Sequence, residues 1–391
     1  MPAIMQNFEF HNPTRVIFGA GQIAALARHV PAHARVLMLY GGGSIKANGT
    51  YDEVRAALAG LAHPLLEFAG IEPNPRYETL MRAVQLVQRE QVDFLLAVGG
   101  GSVVDGTKFV AAAAVYDGDP WDILKTGGKV VQAALPFGAV LTLPATGSEM
   151  NSASVISRAA TQEKRAFMSP HVYPRFSVLD PAKTLSLPLR QVGNGVVDAF
   201  IHTTEQYLTY PANAPVQDRF AEGLLQTLLE LGAQVLARPD DVEVRANIMW
   251  SATMALNGLI GVGVPQDWAT HCVGHELTAL FGLDHAQTLA IVLPGILQVR
   301  RAAKRDKLLQ YAERVWGLRE GSEEQRIDAA IASTRAFFEQ VGVPTRLSAY
   351  GLGAEAIEAT VAALEAAGLT GLGERRDITP GDVRRALQLS L

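Results

Sequence analysis

A single cysteine, Cys272, occurs among 391 residues. It excludes an internal disulfide, which fits a reducing compartment and points to the cytoplasm. It also excludes a thiolate zinc cluster, so any metal must be held by His, Asp, Glu or water. Positive charge is not in excess. Lys and Arg number 34 against 39 Asp and Glu, a net charge of −5, which argues against a nucleic-acid partner. Long apolar runs are missing too: Gly and charged residues break every candidate for a bilayer span, so no membrane role is expected. The opening residues, MPAIMQNFEFHNPTRV, lack the apolar core of a signal peptide. There is no internal repeat and no low-complexity linker. What remains, 48% hydrophobic and 19% charged, is an ordinary globular composition, in a chain long enough for two domains.

The N-terminal half alternates strand and helix patterns. Strands are predicted at 15–18 (RVIF), 35–40 (RVLMLY), 65–69, 94–98 (FLLAV) and 139–143, with helices between them. This order implies a mostly parallel sheet with helices on both faces. Gly99-Gly100-Gly101-Ser102 directly follows a strand and precedes a helix, with Asp105 in the first turn. Glycines there let backbone N–H groups approach a phosphate, and the helix N-terminus favours an anion. Gly19-Ala20-Gly21-Gln22-Ile23-Ala24 fits GxGxxA, but no acid closes the next strand, which ends Tyr40-Gly41-Gly42. The motif is therefore read as a structural turn. The missing acid also bears on the cofactor. If an adenosine ribose lies near Gly41, Gly42 and Ser44, no carboxylate takes its 2′-hydroxyl. With Lys46 close by, a 2′-phosphate is tolerated and NADP is preferred over NAD. The small-residue loop Leu143–Glu149 can supply further hydroxyl and backbone donors.

From about Leu185 helical periodicity dominates to the C-terminus. The expected organisation is an α/β dinucleotide-binding domain over 1–184 and an all-helical domain over 185–391. Two stretches of the helical half draw attention. In WATHCVGHELTALFGLDHAQ, His271 and His275 stand four apart and share a helix face, with His285 just beyond Gly282. In VVDAFIHTTEQ, Asp198 and His202 have the same spacing. Asp and His on one helical turn can grip one metal ion. A single such pair is more often packing, but two, in a chain with nine histidines, point to a metal site.

At this point the motifs resemble a known family. GGGSVVDGTKF, LTLPATGSEMNSASVIS, NGVVDAFIHTTEQY, GVPQDWATHCVGHELTA and GLDHAQTLAIVLP, in this order, are similar to segments of the iron-containing (group III) alcohol dehydrogenases, especially the bacterial NADPH-dependent aldehyde reductases and butanol dehydrogenases. The resemblance runs from HNPTRVIFGAG to the C-terminal helices. It implies the dehydroquinate synthase-like fold, a Rossmann-like domain followed by a helical metal-binding domain. It implies metal ligation by Asp198, His202, His271 and His285. Cofactor contacts fall on Gly99, Gly100, Gly101 and Ser102 with Asp105 beside them, on Thr142 and Thr146, and on Lys164 at the nicotinamide side. His275 matches a histidine beside nicotinamide and substrate. Gly42 stands where NAD-using members carry Asp. A homodimer is the family's usual minimum.

These implications give an expected reaction: a metal-polarised carbonyl, hydride from NADPH, and a proton from His275. The substrate would be a small uncharged aldehyde or alcohol of short to medium chain. Zinc is favoured over Fe(II), because an N/O site binds zinc more tightly. Four protein ligands would otherwise suggest a closed structural site, so the metal must accept a fifth ligand or release a weak one. One rival is a polyol or glycerol-1-phosphate-type dehydrogenase, or a dehydroquinate-synthase-like lyase, on the same fold. Phosphorylated substrates need a basic pocket, and the ligand segments carry few Lys or Arg. The other rival is a non-catalytic metal- or nucleotide-binding protein.

Overall fold

The apolar runs RVLMLY and FLLAV supply two central strands of a six-stranded sheet in the computed structural model, which describes residues 4–391. Its strands are β1 (Arg15–Phe18), β2 (Val36–Tyr40), β3 (Leu66–Phe68), β4 (Phe94–Gly100), β5 (Phe137–Leu143) and β8 (Phe176–Leu179). Their spatial order is β1-β8-β5-β4-β2-β3, and every pairing is parallel. Buried on both faces, such strands read as continuous apolar runs rather than alternating ones. Side chains still alternate in space. Met38, Leu96 and Val98 join one core with Ile23, Leu26 and Val54. Leu37, Leu39, Leu95 and Ala97 join the other with Leu80 and Phe109.

The helices of this half are α1 (Leu26–His29), α2 (Ser44–Ala47), α3 (Thr50–Ala57), α4 (Tyr77–Arg89), α5 (Gly101–Ala113) and α6 (Trp121–Lys125). After β2 the chain moves outward to β3, and after β4 it moves the other way to β5. The strand order therefore reverses between β2 and β4, which are paired from Val36↔Phe94 to Tyr40↔Val98. The loops leaving these two strands, 41–43 and the Gly100–Gly101 junction, open side by side. A doubly wound sheet binds its ligands at such a reversal.

Two features were not in the sequence reading. An antiparallel hairpin, β6 (Ala153–Arg158) with β7 (Glu163–Met168), forms a separate two-stranded sheet. Its turn uses Gln162 at φ 51 instead of the Gly or Asn that marks a hairpin in sequence. The strand β8, between β1 and β5, was also missed. It makes β1 an edge strand, and the GxGxxA stretch after β1 is a turn: the Gly21 N–H donates to Asp180 Oδ2 at 2.8 Å.

The helical half comprises α7 (Leu189–Tyr207), α8 (Pro215–Ala237), α9 (Val242–Ala255), α10 (Ala269–Phe281), α11 (His285–Val299), α12 (Arg305–Arg314), α13 (Glu323–Gln340), α14 (Ala354–Ala366) and α15 (Pro380–Gln388). By contact density the chain forms two compact units. One contains His11–Pro188 together with Asp240–Thr253, and so includes most of α9. The other contains the residues up to Phe10, Leu189–Pro239 and Met254–Leu391. In the second unit α7 is buried at every position from Val192 to Tyr207, so polar side chains on its central turns are enclosed by protein. No helix among the described residues is long and apolar enough to cross a membrane.

Candidate active site

Local chemistry fixes where α10 and α11 begin. Asp267 Oδ1 accepts from the Ala269 N–H at 3.0 Å, which caps the first turn of α10. Trp268, between them, sits in the left-handed region at φ 61, a costly state for a bulky side chain. At the other end Gly282, at φ 69, stops the helix. Asp284 then forms a capping box with Gln287 on α11, and also accepts from Asn194 Nδ2 at 3.0 Å and from Arg190. His271 thus falls on the first turn of α10, and His285 is the first residue of α11.

These helix starts meet the buried middle of α7. Asp198, His202, His271 and His285 each offer a ligand atom, and the four atoms all lie within 4.8 Å of one another. The Nε2 atoms of His202, His285 and His271 stand 3.6, 3.7 and 4.0 Å from Asp198 Oδ1. Tetrahedral ligation at about 2.1 Å would set donors roughly 3.4 Å apart, so a cation fits with small inward movements. Asp198 and His202 are 2% and 3% exposed. Burial, and then His271, push the His202 imidazolium well below the usual histidine range, which leaves it neutral with a lone pair to give. Buried His202 Nδ1 and His271 Nε2 have no hydrogen-bond partner among the described residues. Enclosed polar atoms left so are costly, and a bound cation would satisfy the inward-facing nitrogen. The donor set, three imidazoles and a carboxylate, suits a first-row divalent ion.

His275 is not one of the four. Its ring centroid lies 5.4 Å from that of His285 and 6.2 Å from that of His271, at the border of the cluster. The Trp268 indole stands edge-on to His271 at 5.3 Å and His202 at 6.2 Å. Cys272 is half-buried; burial, then the carboxylates of Glu205, Asp267 and Glu276, push its thiol up to about 12. It packs rather than reacts.

In the sheet-bearing unit, β4 ends at Gly100 and α5 starts at Gly101, the strand-to-helix setting that a phosphate cradle requires. A Cβ on Gly99 would lie 2.6 Å from Val103 Cγ2, and one on Gly101 only 2.3 Å from Thr146 Oγ1. Gly101 therefore runs in close contact with the Thr146 loop, Gly99 against Val103 and Gly100 against Leu143, while Ser102 opens α5 beside them. Thr142 is buried at the end of β5. Asp105 is also buried, and both its oxygens are engaged: Oδ1 by Ser148 Oγ at 2.5 Å and Oδ2 by the Val155 N–H at 2.9 Å. It pins the 146–155 segment from beneath. Lys108 does the same through Asn151 Oδ1 and the Ala153 carbonyl, at 2.9 and 2.7 Å. Lys164 Nζ donates to Asn74 Oδ1 at 2.8 Å, and the Asn74 N–H donates to Ser102 Oγ at 3.3 Å. Asn74 was missed in the sequence, where Pro73 and Pro75 read only as punctuation; its φ of 54 is the left-handed state Asn tolerates. Beyond β2, Gly41, Gly42 and Ser44 lead into α2. There Lys46 Nζ lies over the Tyr51 ring at 4.8 Å and the Tyr40 ring at 5.4 Å.

Comparison with known proteins agrees with both halves. The family model described as "Iron-containing alcohol dehydrogenase" matches residues 13–181, and "Fe-containing alcohol dehydrogenase family, C-terminal" matches 193–386. The chain is 62% identical over 383 residues to the NADPH-dependent aldehyde reductase YqhD of Escherichia coli, covering 97% of this chain and 98% of that one. It is 41% identical to the probable NADH-dependent butanol dehydrogenase 1 of Bacillus subtilis, over 99% and 100% of the two chains. The crystal structure of E. coli K-12 YqhD superposes with a TM-score of 0.98 at 61% identity, covering all of both chains. Matched along both halves, the chain belongs to the iron-containing alcohol dehydrogenase family and is an oxidoreductase of the alcohol dehydrogenase kind.

Proposed function

We propose that this enzyme is a metal-dependent, NADPH-linked reductase of small uncharged aldehydes, with Asp198, His202, His271 and His285 as the metal ligands. The observation that carries the reading is the convergence of those four donors in a buried site. A divalent cation supplies Lewis acidity toward a carbonyl oxygen, and the nicotinamide supplies the hydride. The chain's own residues do the rest. Gly99, Gly100, Gly101 and Ser102 receive the pyrophosphate on backbone N–H groups. Thr142, Thr146 and Lys164 flank the cofactor, and Asp105 holds the 146–155 segment in place. His275 delivers the proton that the reduced oxygen needs; an imidazole suits that step near neutral pH.

The preference for NADPH rests on the end of β2. No acid stands at Gly41, Gly42 or Ser44. Glu67, on the neighbouring strand β3, is already engaged by Tyr51 Oη at 2.7 Å, Tyr40 Oη at 3.1 Å and Arg55 Nη1 at 3.2 Å. Lys46 Nζ, over the Tyr51 and Tyr40 rings, is a positive charge available to a 2′-phosphate. Zinc is favoured over Fe(II) on affinity, and the working form is proposed to be a homodimer in the cytoplasm. The test pairs elemental analysis of the purified enzyme with NADPH and NADH oxidation on butanal. One divalent ion per chain and faster turnover with NADPH are expected. Full activity in a metal-free His271→Ala enzyme would end the proposal.

A further inference from the structure

Glu205 lies on the same face of α7 as the two ligands that precede it, at i+7 from Asp198. It is 2% exposed. Its carboxylate meets two donors from the first turn of α10. Oε1 accepts from the Thr270 N–H at 2.7 Å, and Oε2 pairs with His271 Nδ1. Its own backbone carbonyl accepts from the Asp267 N–H at 2.9 Å.

We propose that Glu205 is the positioning residue of the metal centre: it fixes the tautomer and the rotation of His271, so that the Nε2 lone pair faces Asp198 and the cation. The inference rests on the metal reading above. A carboxylate only accepts, so the neutral imidazole of His271 that it favours is the tautomer with the proton on Nδ1 and the lone pair on Nε2. The second oxygen fixes the carboxylate itself by capping a helix N-terminus, where negative charge is favoured. Two donors require two acceptors, and among isosteric side chains only a carboxylate has both. Glutamine offers one acceptor and one donor. If its carbonyl keeps the Thr270 N–H, its amide donates to Nδ1 and the proton of His271 moves to Nε2, the ligand atom. If it turns over, it faces Thr270 with a second donor. By contrast, buried His202 Nδ1 has no such acceptor among the described residues, so His202 does not share this support.

The test measures zinc affinity by chelator competition in the full-length enzyme and in Glu205→Gln, Glu205→Ala and His271→Ala. Thermal unfolding of each metal-free protein is followed in parallel. Loss of about 10- to 100-fold in zinc affinity is expected for both Glu205 variants. The metal-free Glu205→Gln protein should unfold within about 2 °C of wild type, since a tautomer change costs the empty site little. Its activity should return as added zinc is raised, with a shifted half-saturation. If His271→Ala loses zinc while both Glu205 variants keep wild-type affinity, the role of Glu205 is refuted and the ligand assignment stands. If metal-free Glu205→Gln is destabilised in step with its loss of zinc, Glu205 is a plain helix cap and the inference falls. If wild type and His271→Ala bind zinc equally poorly, the ligand assignment fails first.

Discussion

Replacing Gly101 with alanine sets a methyl group against Thr146. The new Cβ would stand 2.3 Å from Thr146 Oγ1, 2.7 Å from its Cγ2 and 3.0 Å from its Cβ. Ordinary carbon contacts begin near 3.5 Å, so one side must give by about 1 Å. Neither moves freely. Gly101 is the first residue of α5, and the strand that precedes it, β4, is paired on both sides. Thr146 is held through its hydroxyl, which accepts from the Ser148 N–H at 3.2 Å, and through its carbonyl, which accepts from Asn151 Nδ2 at 3.4 Å. Overpacking of this kind costs about 1–3 kcal/mol, and a misplacement near 1 Å in a positioned site costs on the order of 10²-fold. Gly101→Ala should therefore weaken NADPH binding about 100-fold while leaving bound metal unchanged. Fluorescence titration with NADPH and elemental analysis measure the two. Thr146→Ala, added to Gly101→Ala, removes the two shortest contacts and should recover part of the affinity. Wild-type NADPH affinity in Gly101→Ala would refute the cradle. No recovery in the double variant would show that the loss is not steric.

Three further outcomes follow from other parts of the molecule. Burial lowers the Lys108 pKa from 10.5 to about 8. The unfolded chain therefore binds the extra proton between those values, and stability should rise with pH across that window, by about 3 kcal/mol at about 1.36 kcal/mol per pH unit. Urea unfolding of wild type and Lys108→Met at pH 7.5 and 10.5 isolates this term; a difference between them that does not change with pH would remove it. His275→Ala should slow aldehyde turnover by about 10²-fold or more with metal content retained, and an unaltered pH–rate profile would reduce His275 to packing. A Cβ on Gly193 of α7 would lie 2.1 Å from the Val341 carbonyl oxygen, a backbone atom. Gly193→Ala should cost about 3 kcal/mol, read as a lower unfolding midpoint; an unchanged midpoint would show that α7 can shift.

Local pattern carried a large part of this molecule. Continuous apolar runs marked β2, β4 and β5, because such runs are what strands buried on both faces of a sheet demand. The i, i+4 spacing of Asp198 with His202 put two donors on one turn before any tertiary contact was known. The glycines at the end of β4 marked a close approach, and Gly99 and Gly101 indeed lack room for a Cβ. Other features left no local mark. The β6–β7 turn uses Gln162 in place of glycine, and Asn74 looked like a residue between two prolines. Glu205 and His271 are 66 residues apart, and no periodicity links them. Sequence alone determined which side chains share a helix turn or follow a strand, because those relations are set by the backbone repeat. Only the tertiary structure decided that α7 would meet the starts of α10 and α11, and that a buried carboxylate would orient one imidazole. Packing of distant segments, driven by burial of their apolar faces, sets those distances.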